Sequence, residues 1–180
     1  MGKPILAPAW RNHHDGTREF DLAHLHPHKM SVSVPAKLGR PALNLTIFVS
    51  FSLHCFTRGI QPGQSVSVND QYSDNREQRV FDEVRWELSR ELPSIVASLP
   101  SRPCFRTDHE EFLTIDLIQN GIVVTYTVFF TVGKFGKRYE EADLWLFINS
   151  AHPRASPLPR VRDRRIHFMT ILGRAYSGRS

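Results

Sequence analysis

The residues that could do chemistry begin with a short string at the end of an apolar segment, Leu53-His54-Cys55-Phe56-Thr57-Arg58. Histidine can accept or donate a proton near neutral pH, and arginine can hold a phosphate group. A similar string, Ile166-His167-Phe168-Met169-Thr170, stands near the C terminus. We therefore predict catalytic roles for His54, Arg58 and His167, with the two histidines as base and acid.

These strings do not have the spacing of the two-histidine phosphoesterases, whose motif is His-x-Thr on two strands. Both strings read His-x-x-Thr, and in a strand that spacing sends the hydroxyl to the opposite face. The catalytic hypothesis is instead a metal-independent, RNase-like phosphodiesterase, in which histidine transfers protons and arginine binds phosphate.

Positive charge is concentrated in the last quarter of the chain. The whole chain has 23 Lys and Arg against 18 Asp and Glu, a net charge of +5, whereas residues 133–180 alone have a net charge of +6. A local basic field favours a polyanionic partner. Our first hypothesis is therefore binding of nucleic acid, as RNA or a single strand, through two basic loops. The predicted binding residues are Lys134, Lys137, Arg138, Arg154, Arg160, Arg162, Arg164 and Arg165.

The sequence predicts no cofactor and no bound metal. Phosphate-loop and dinucleotide fingerprints are absent, as are a CxxC knuckle and an HExxH helix. Two weaker sets of metal-ligand types remain, and we interpret both as ordinary polar or buried residues rather than a site. The first set is His24, His26 and His28, and the second is His54, Cys55, Cys104 and His109.

The alternative to nucleic-acid binding is a protein-interaction or accessory module without catalysis. It is favoured by the lack of a strong catalytic motif and by strand edges that can accept a partner strand. No apolar run reaches the roughly 18 residues of a membrane-spanning helix, and the first residues lack the apolar region of a signal peptide. We therefore expect no membrane partner and a cytoplasmic location.

The elements that must position these residues follow from hydrophobic periodicity. Residues 43–55 alternate as a half-buried strand, and Asp74 with Glu77 forms a capping box before a helix that reaches Leu92. Pro93 should end or kink that helix. Two segments, 111–119 and 122–132, flank Asn120-Gly121 as a hairpin, with Gln119 opposite Ile122. Further strands are predicted at 143–149 and 165–172.

This order of elements predicts an α+β fold, an antiparallel sheet of about five strands with one long helix packed on one face. Residues 1–41 contain five prolines and five of the nine histidines, which favours a flexible N-terminal arm before a single domain at 42–180. On this interpretation, residues 1–28 are dispensable for folding.

Overall fold

The chain is built around a seven-stranded sheet, as seen in a computed structural model that describes residues 7–36, 41–107, 111–119, 121–139, 141–156 and 164–178. In chain order the elements are β1 (His13–His14), β2 (Glu19–Phe20), β3 (His28–Val34), β4 (Leu43–Phe51), β5 (Thr57–Arg58), β6 (Gln71–Ser73), β7 (Gln78–Phe81), α1 (Glu83–Ser89), α2 (Leu92–Ser98), β8 (Pro103–Arg106), β9 (Glu111–Gln119), β10 (Ile122–Tyr139), β11 (Ala142–Arg154), β12 (Arg165–His167) and α3 (Phe168–Tyr176).

The large sheet is curled and mixed, with the strand order β12-β8-β9-β10-β11-β4-β3. Its neighbours are antiparallel except for β4 and β11, which pair in parallel from Ile47 opposite Leu144 to Phe51 opposite Ile148. Strands β1 and β2 form one small sheet, and β5, β7 and β6 form another. The predicted five-stranded antiparallel sheet with one long helix is therefore wrong, although the α+β content is correct.

The β9–β10 hairpin confirms the predicted register. Gln119 pairs with Ile122, and Leu117 with Val124. Gly121 has a φ of 78°, the left-handed conformation that glycine adopts at little cost in such a turn. Strand β10 then continues to Tyr139, so the segment 133–138, predicted as a basic loop, belongs to the strand.

The predicted long helix is replaced by a hairpin and two short helices. Asp74 lies in the turn between β6 and β7, and α1 begins nine residues later with Asp82 as its N-cap, whose Oδ1 accepts from the Arg85 N–H at 3.0 Å. Pro93 lies in the first turn of α2 rather than at a helix end. Proline is tolerated there because its missing N–H would have no intrahelical acceptor.

The C-terminal segment also differs from its prediction as one strand over 165–172. Only Arg165–His167 is extended, and α3 follows at once. Phe168, Ile171 and Leu172 are buried on one side of this helix. Spacings of three and four residues place apolar groups on a single helical face, so packing against the sheet favours the helix here.

The N-terminal segment is part of the core, which corrects the prediction of a flexible arm for residues 1–41 in the range 7–36. Strand β3 pairs along its whole length with β4. Trp10 and Phe20 are 6% and 4% exposed, and Leu22 and Leu25 are fully buried. Trp10, Leu22 and Leu25 therefore belong to the same core as the helices and the sheet.

The two faces of the large sheet are packed differently. The main cluster contains the residues of β4 and β11 that alternate as Ile47, Val49, Leu144, Leu146 and Ile148. The intervening residues Phe48, Trp145 and Phe147 form a separate cluster with Phe135 and Ala142. Of the helices formed by the described residues, none is both long and apolar enough to cross a membrane.

Candidate functional site

A cleft of about 920 Å³ opens beside the end of β4. Its walls come from residues 7–11, residues 52–54, residues 72–77 of the β6–β7 hairpin, and Phe147, Asn149 and Ser150 of β11. His54 is on this wall because the chain leaves β4 in a short 3-10 helix, Leu53–Cys55, rather than continuing as the predicted strand. The Ser52 side chain caps that turn by accepting from the His54 N–H at 3.2 Å.

The imidazole of His54 is held by a chain of hydrogen bonds. Its Nε2 lies 2.5 Å from Oε1 of Glu77. The other carboxylate oxygen, Oε2, accepts from Arg79 Nη1 at 2.9 Å, and Arg79 Nε donates to Thr57 Oγ1 at 2.7 Å. Thr57 in turn donates to the carbonyl of Leu53 at 2.7 Å. This series of hydrogen bonds therefore ends at the 3-10 helix that carries His54.

Glu77 is placed by the turn chemistry of Asp74. The Asp74 carboxylate accepts from the N–H groups of Arg76 and Glu77 at 2.8 and 3.0 Å. Burial raises the pKa of Glu77, but the hydrogen bonds from His54 and Arg79 outweigh it and the pKa is lowered overall. Glu77 is therefore an ionised acceptor at neutral pH. The sequence offered this residue only as the partner of a helix cap.

Arg58 does not reach the cleft. Its Nη1 donates to Gln64 Oε1 at 3.1 Å, and its Nε lies 3.9 Å from Asp82 Oδ2. A different arginine contacts the backbone around His54, because Arg85 Nη1 donates to the carbonyls of His54 and Thr57 at 3.2 and 2.8 Å. Arg58 therefore forms an ion pair outside the cleft, and Arg85 stabilises the backbone from His54 to Thr57.

A second depression, of about 310 Å³, lies at the β12 edge of the large sheet. Four arginines line it together with His167 and Thr170. They come from three elements: Arg106 ends β8, Arg164 and Arg165 lie at the start of β12, and Arg174 lies on α3. We call these four residues the arginine cluster. Sequence reasoning missed Arg106 and Arg174, since only pairing of β12 with β8 and folding of α3 brings them together.

His54 and His167 are not brought together. His54 lines the first cleft and His167 the second depression. In the strand order, β12 is at one edge of the large sheet, and β4, which leads to His54, is four strands beyond β8. The two histidines therefore do not share one cavity as an acid–base pair.

Of the remaining predicted binding residues, Lys134 and Arg154 do not line the second depression. Lys134 Nζ donates to the carbonyl of Tyr176 at 2.9 Å and lies 4.6 Å from that ring's centroid, so it stabilises the C terminus of α3. Arg154 has its Nε buried without a hydrogen-bond partner. Arg160 and Arg162 lie outside the described residues, and so do the side chains of Lys137 and Arg138.

The residue types that could bind a metal are dispersed. His24 and His26 are hydrogen-bonded separately, to Ser89 Oγ at 2.8 Å and to the Trp10 carbonyl at 3.0 Å. Burial raises the pKa of the Cys55 thiol, and that of Cys104 to about 12. Within the part of the chain that the structure describes, which leaves out His109, no three His, Cys, Asp or Glu residues are grouped as ligands.

His152 on β11 should make the fold sensitive to acid. Burial, followed by the charges of Arg85 and Arg154, lowers its pKa to about 4. The unfolded chain therefore binds a proton between about pH 6.5 and 4 that the folded chain does not, so stability falls as the pH falls through that window. From pH 7 to pH 5, the free energy of unfolding should fall by about 2 kcal/mol because of His152.

The check is urea unfolding at both pH values for the wild type and for His152→Phe, which keeps a ring against Phe129. The variant should lose less stability on acidification than the wild type. An equal loss in both proteins would show that His152 is not the titrating group. His13 and His24, whose pKa values burial also lowers, remain in both proteins as the common background.

Comparison with known proteins assigns the chain to one protein family. A protein-family model described as the YjaZ family matches residues 12–176. No curated protein and no solved structure matches the chain. The matched range includes β1 to α3, residues of both cavities and most of the segment predicted to be an arm. On that extent of match, the chain belongs to the YjaZ family.

Proposed function

We propose that the protein binds a nucleic acid through the arginine cluster at the β12 edge. The observation that carries the proposal is the convergence of Arg106, Arg164, Arg165 and Arg174 on one depression, from three separate elements. Arginine presents a planar fork of donors that matches the oxygens of a phosphate group. Several such forks at one edge suit a polymer of phosphates better than a single small anion.

The charges of Arg106, Arg165 and Arg174 are only partly neutralised within the described residues. Arg106 Nε lies 3.4 Å from Glu111 Oε1, an ion pair that leaves the Arg106 side chain 39% exposed. Arg165 is exposed and Arg174 half-buried, and neither side chain has a hydrogen bond or ion pair to another described residue. Like charges held close together repel, so an anionic partner would relieve the repulsion.

The proposal includes a cytoplasmic location. Cys55 and Cys104 are both free thiols, the usual state of cysteines in a reducing compartment. Nucleic acid is also available there.

We expect that changing Arg165 and Arg174 together to Ala weakens the binding of single-stranded RNA about equally for all sequences. Each lost phosphate contact should reduce the slope of log K against log salt by about one, so the double variant should lose about two. The measurement is fluorescence anisotropy with labelled RNA, single-stranded DNA and duplex between about 50 and 200 mM salt.

The matched control is Lys29→Ala/Arg90→Ala, which removes two positive charges at exposed positions on β3 and after α1. It should leave the slope nearly unchanged if binding is local to the cluster. Equal losses in both double variants would indicate attraction by net charge alone. No binding even at low salt would refute the proposal, and a partner complex that persists after nuclease treatment would support a protein-interaction module instead.

A further inference from the structure

The His54 cleft contains an imidazole whose orientation is fixed by its surroundings. Glu77 is hydrogen-bonded to Nε2, and Arg79 donates to both Glu77 and Thr57. Each of these three hydrogen bonds has a heavy-atom distance of 2.9 Å or less. A carboxylate that bonds one ring nitrogen fixes the tautomer and places the other nitrogen for proton transfer. The arrangement is thus that of an oriented base, and it lies apart from the arginine cluster.

The other ring nitrogen, Nδ1, is available to a ligand. It has no hydrogen-bond partner among the described residues, and the side chain of His54 is 36% exposed on the wall of the cleft. A general base must have a nitrogen within reach of the proton that it removes. Nδ1 meets that requirement, whereas Nε2 is occupied by Glu77.

The nucleophile must come from the substrate or from water. Ser52 is the hydroxyl nearest in sequence, but it is buried and its Oγ accepts from the backbone N–H of His54 rather than contacting the ring. No side-chain hydroxyl among the described residues is hydrogen-bonded to the imidazole. This arrangement differs from a serine or threonine hydrolase, in which the base touches the nucleophile in the same chain.

The same cleft carries two cations that suit a phosphodiester. Arg11 and Arg76 both line it, beside the carboxylates of Asp74 and Glu77. The guanidinium carbon of Arg11 lies 5.9 Å from the ring centroid of Tyr72. Guanidinium groups stabilise the negative charge that develops on phosphate oxygens during transfer. A base, two guanidinium groups and the lack of a described side-chain hydroxyl bonded to that base together favour a substrate that brings its own hydroxyl.

We propose that this cleft cleaves RNA, with His54 as the general base that activates the ribose 2′-hydroxyl. His54 Nδ1 takes the 2′-OH proton, the 2′-oxygen forms a bond to phosphorus, and the bond from phosphorus to the 5′-oxygen breaks. The leaving oxygen takes a proton from water, and the imidazolium returns its proton to solvent. The products are a 2′,3′-cyclic phosphate and a 5′-hydroxyl end. Glu77 is a positioning residue, and the inference rests on the proposed nucleic-acid binding.

The experiment follows cleavage of end-labelled RNA in EDTA beside DNA and 2′-O-methyl RNA of the same sequence. Only the RNA should be cut, because the other two lack a free 2′-hydroxyl, and the product should carry the cyclic phosphate. His54→Ala should lower kcat by about 100-fold or more, the usual contribution of a general base. Glu77→Gln should lower kcat with little change in KM, since it keeps the size of the side chain but not the charge. His14→Ala, an exposed histidine outside the cleft, should cleave like the wild type.

Binding of 2′-O-methyl RNA and thermal unfolding, measured on every variant, separate the possible failures. A His54→Ala protein that folds and binds as the wild type but no longer cuts supports the inference. Binding without cleavage by the wild type would overturn the inference and leave the binding proposal standing. Cleavage of DNA, loss of cleavage in EDTA, or full activity of His54→Ala would also overturn it. No binding of any nucleic acid would refute the proposal on which it rests.

Discussion

Deleting residues 1–28 is expected to lower the midpoint of thermal unfolding by more than about 10 °C or to prevent folding altogether. The deletion removes Trp10, Phe20, Leu22 and Leu25, all of them buried. Each such side chain contributes about 1.5–3 kcal/mol by burial, against a total stability of about 5–15 kcal/mol for a typical domain. The rest of the core would be left with an exposed apolar surface.

The same deletion removes the hydrogen-bond acceptors of two side chains that would remain. Trp86 Nε1 donates to the carbonyl of Asp21 at 2.9 Å, and the Tyr72 hydroxyl donates to the carbonyl of Arg11 at 2.8 Å. A hydrogen bond of this kind contributes about 0.5–1.5 kcal/mol to stability. These contacts join the segment to α1 and to the β6–β7 hairpin, so its loss should disturb both.

Trp10→Ala tests the same point without a truncation. Trp10 packs edge-on against Phe56 and Tyr72, and its Nε1 donates to the carbonyl of Phe51 at 2.8 Å. We expect a loss of about 3–5 kcal/mol in urea unfolding. Val68→Ala, at a side chain 81% exposed, is the control and should change little. A truncated protein that melts within a few degrees of the full chain would restore the interpretation of residues 1–28 as a dispensable arm.

Among the glycines that the structure describes, Gly133 should tolerate an added methyl group least. Gly133 lies opposite Trp145 in the β10–β11 ladder, and the indole lies directly over it. A Cβ at this position would be 2.1 Å from Cζ2 of Trp145 and 2.4 Å from Cε2, well inside van der Waals contact. The ring would have to move, and it packs against Phe48, Phe135 and Phe147.

We expect Gly133→Ala to cost about 3 kcal/mol, the upper part of the usual range for overpacking, and about 6–12 °C in unfolding midpoint. Gly136→Ala is the matched control, because Gly136 lies in the same strand with nothing within 4 Å of its added Cβ. Scanning calorimetry of the two variants gives the comparison. Trp145→Leu combined with Gly133→Ala should recover part of the loss, since it makes room for the methyl group. Equal midpoints for the two alanine variants would contradict the close packing of the indole.

Neither cavity could be assembled from the sequence, although individual members were found. The sequence predicts His54 as a base, but it predicts its partner Glu77 as part of a helix cap, since Asp74 and Glu77 have the spacing of a capping box. The structure uses that local interaction, with the Asp74 carboxylate accepting from the Glu77 N–H, to close a hairpin. An aspartate can cap either kind of turn, so only the packing of the adjoining segments distinguishes a helix start from a hairpin.

Local chemistry determined the elements whose interactions close within a few residues. The Asn120-Gly121 pair and the alternation around it were sufficient for the β9–β10 register, because a two-residue turn leaves no freedom in the pairing. Alternation likewise predicted a strand over 43–55, of which residues Leu43 to Phe51 form β4. In the hairpin, residues close in sequence are also close in space. In β4 the alternation along the strand marks the face that packs in the main cluster.

Tertiary structure alone decided the pairings that join distant parts of the chain. The parallel pairing of β4 with β11, the docking of Trp10 on Phe51 and the meeting of Arg106 with Arg174 connect residues tens of positions apart. Their stability comes from apolar surface buried between elements. The hydrophobic effect is non-directional, so an apolar face does not specify which element covers it. Periodicity shows which residues seek burial, but the partner that buries them depends on the whole fold. The sequence therefore predicted a basic C-terminal quarter and a base at His54, and only the folded chain placed the arginines and His54 in two separate cavities.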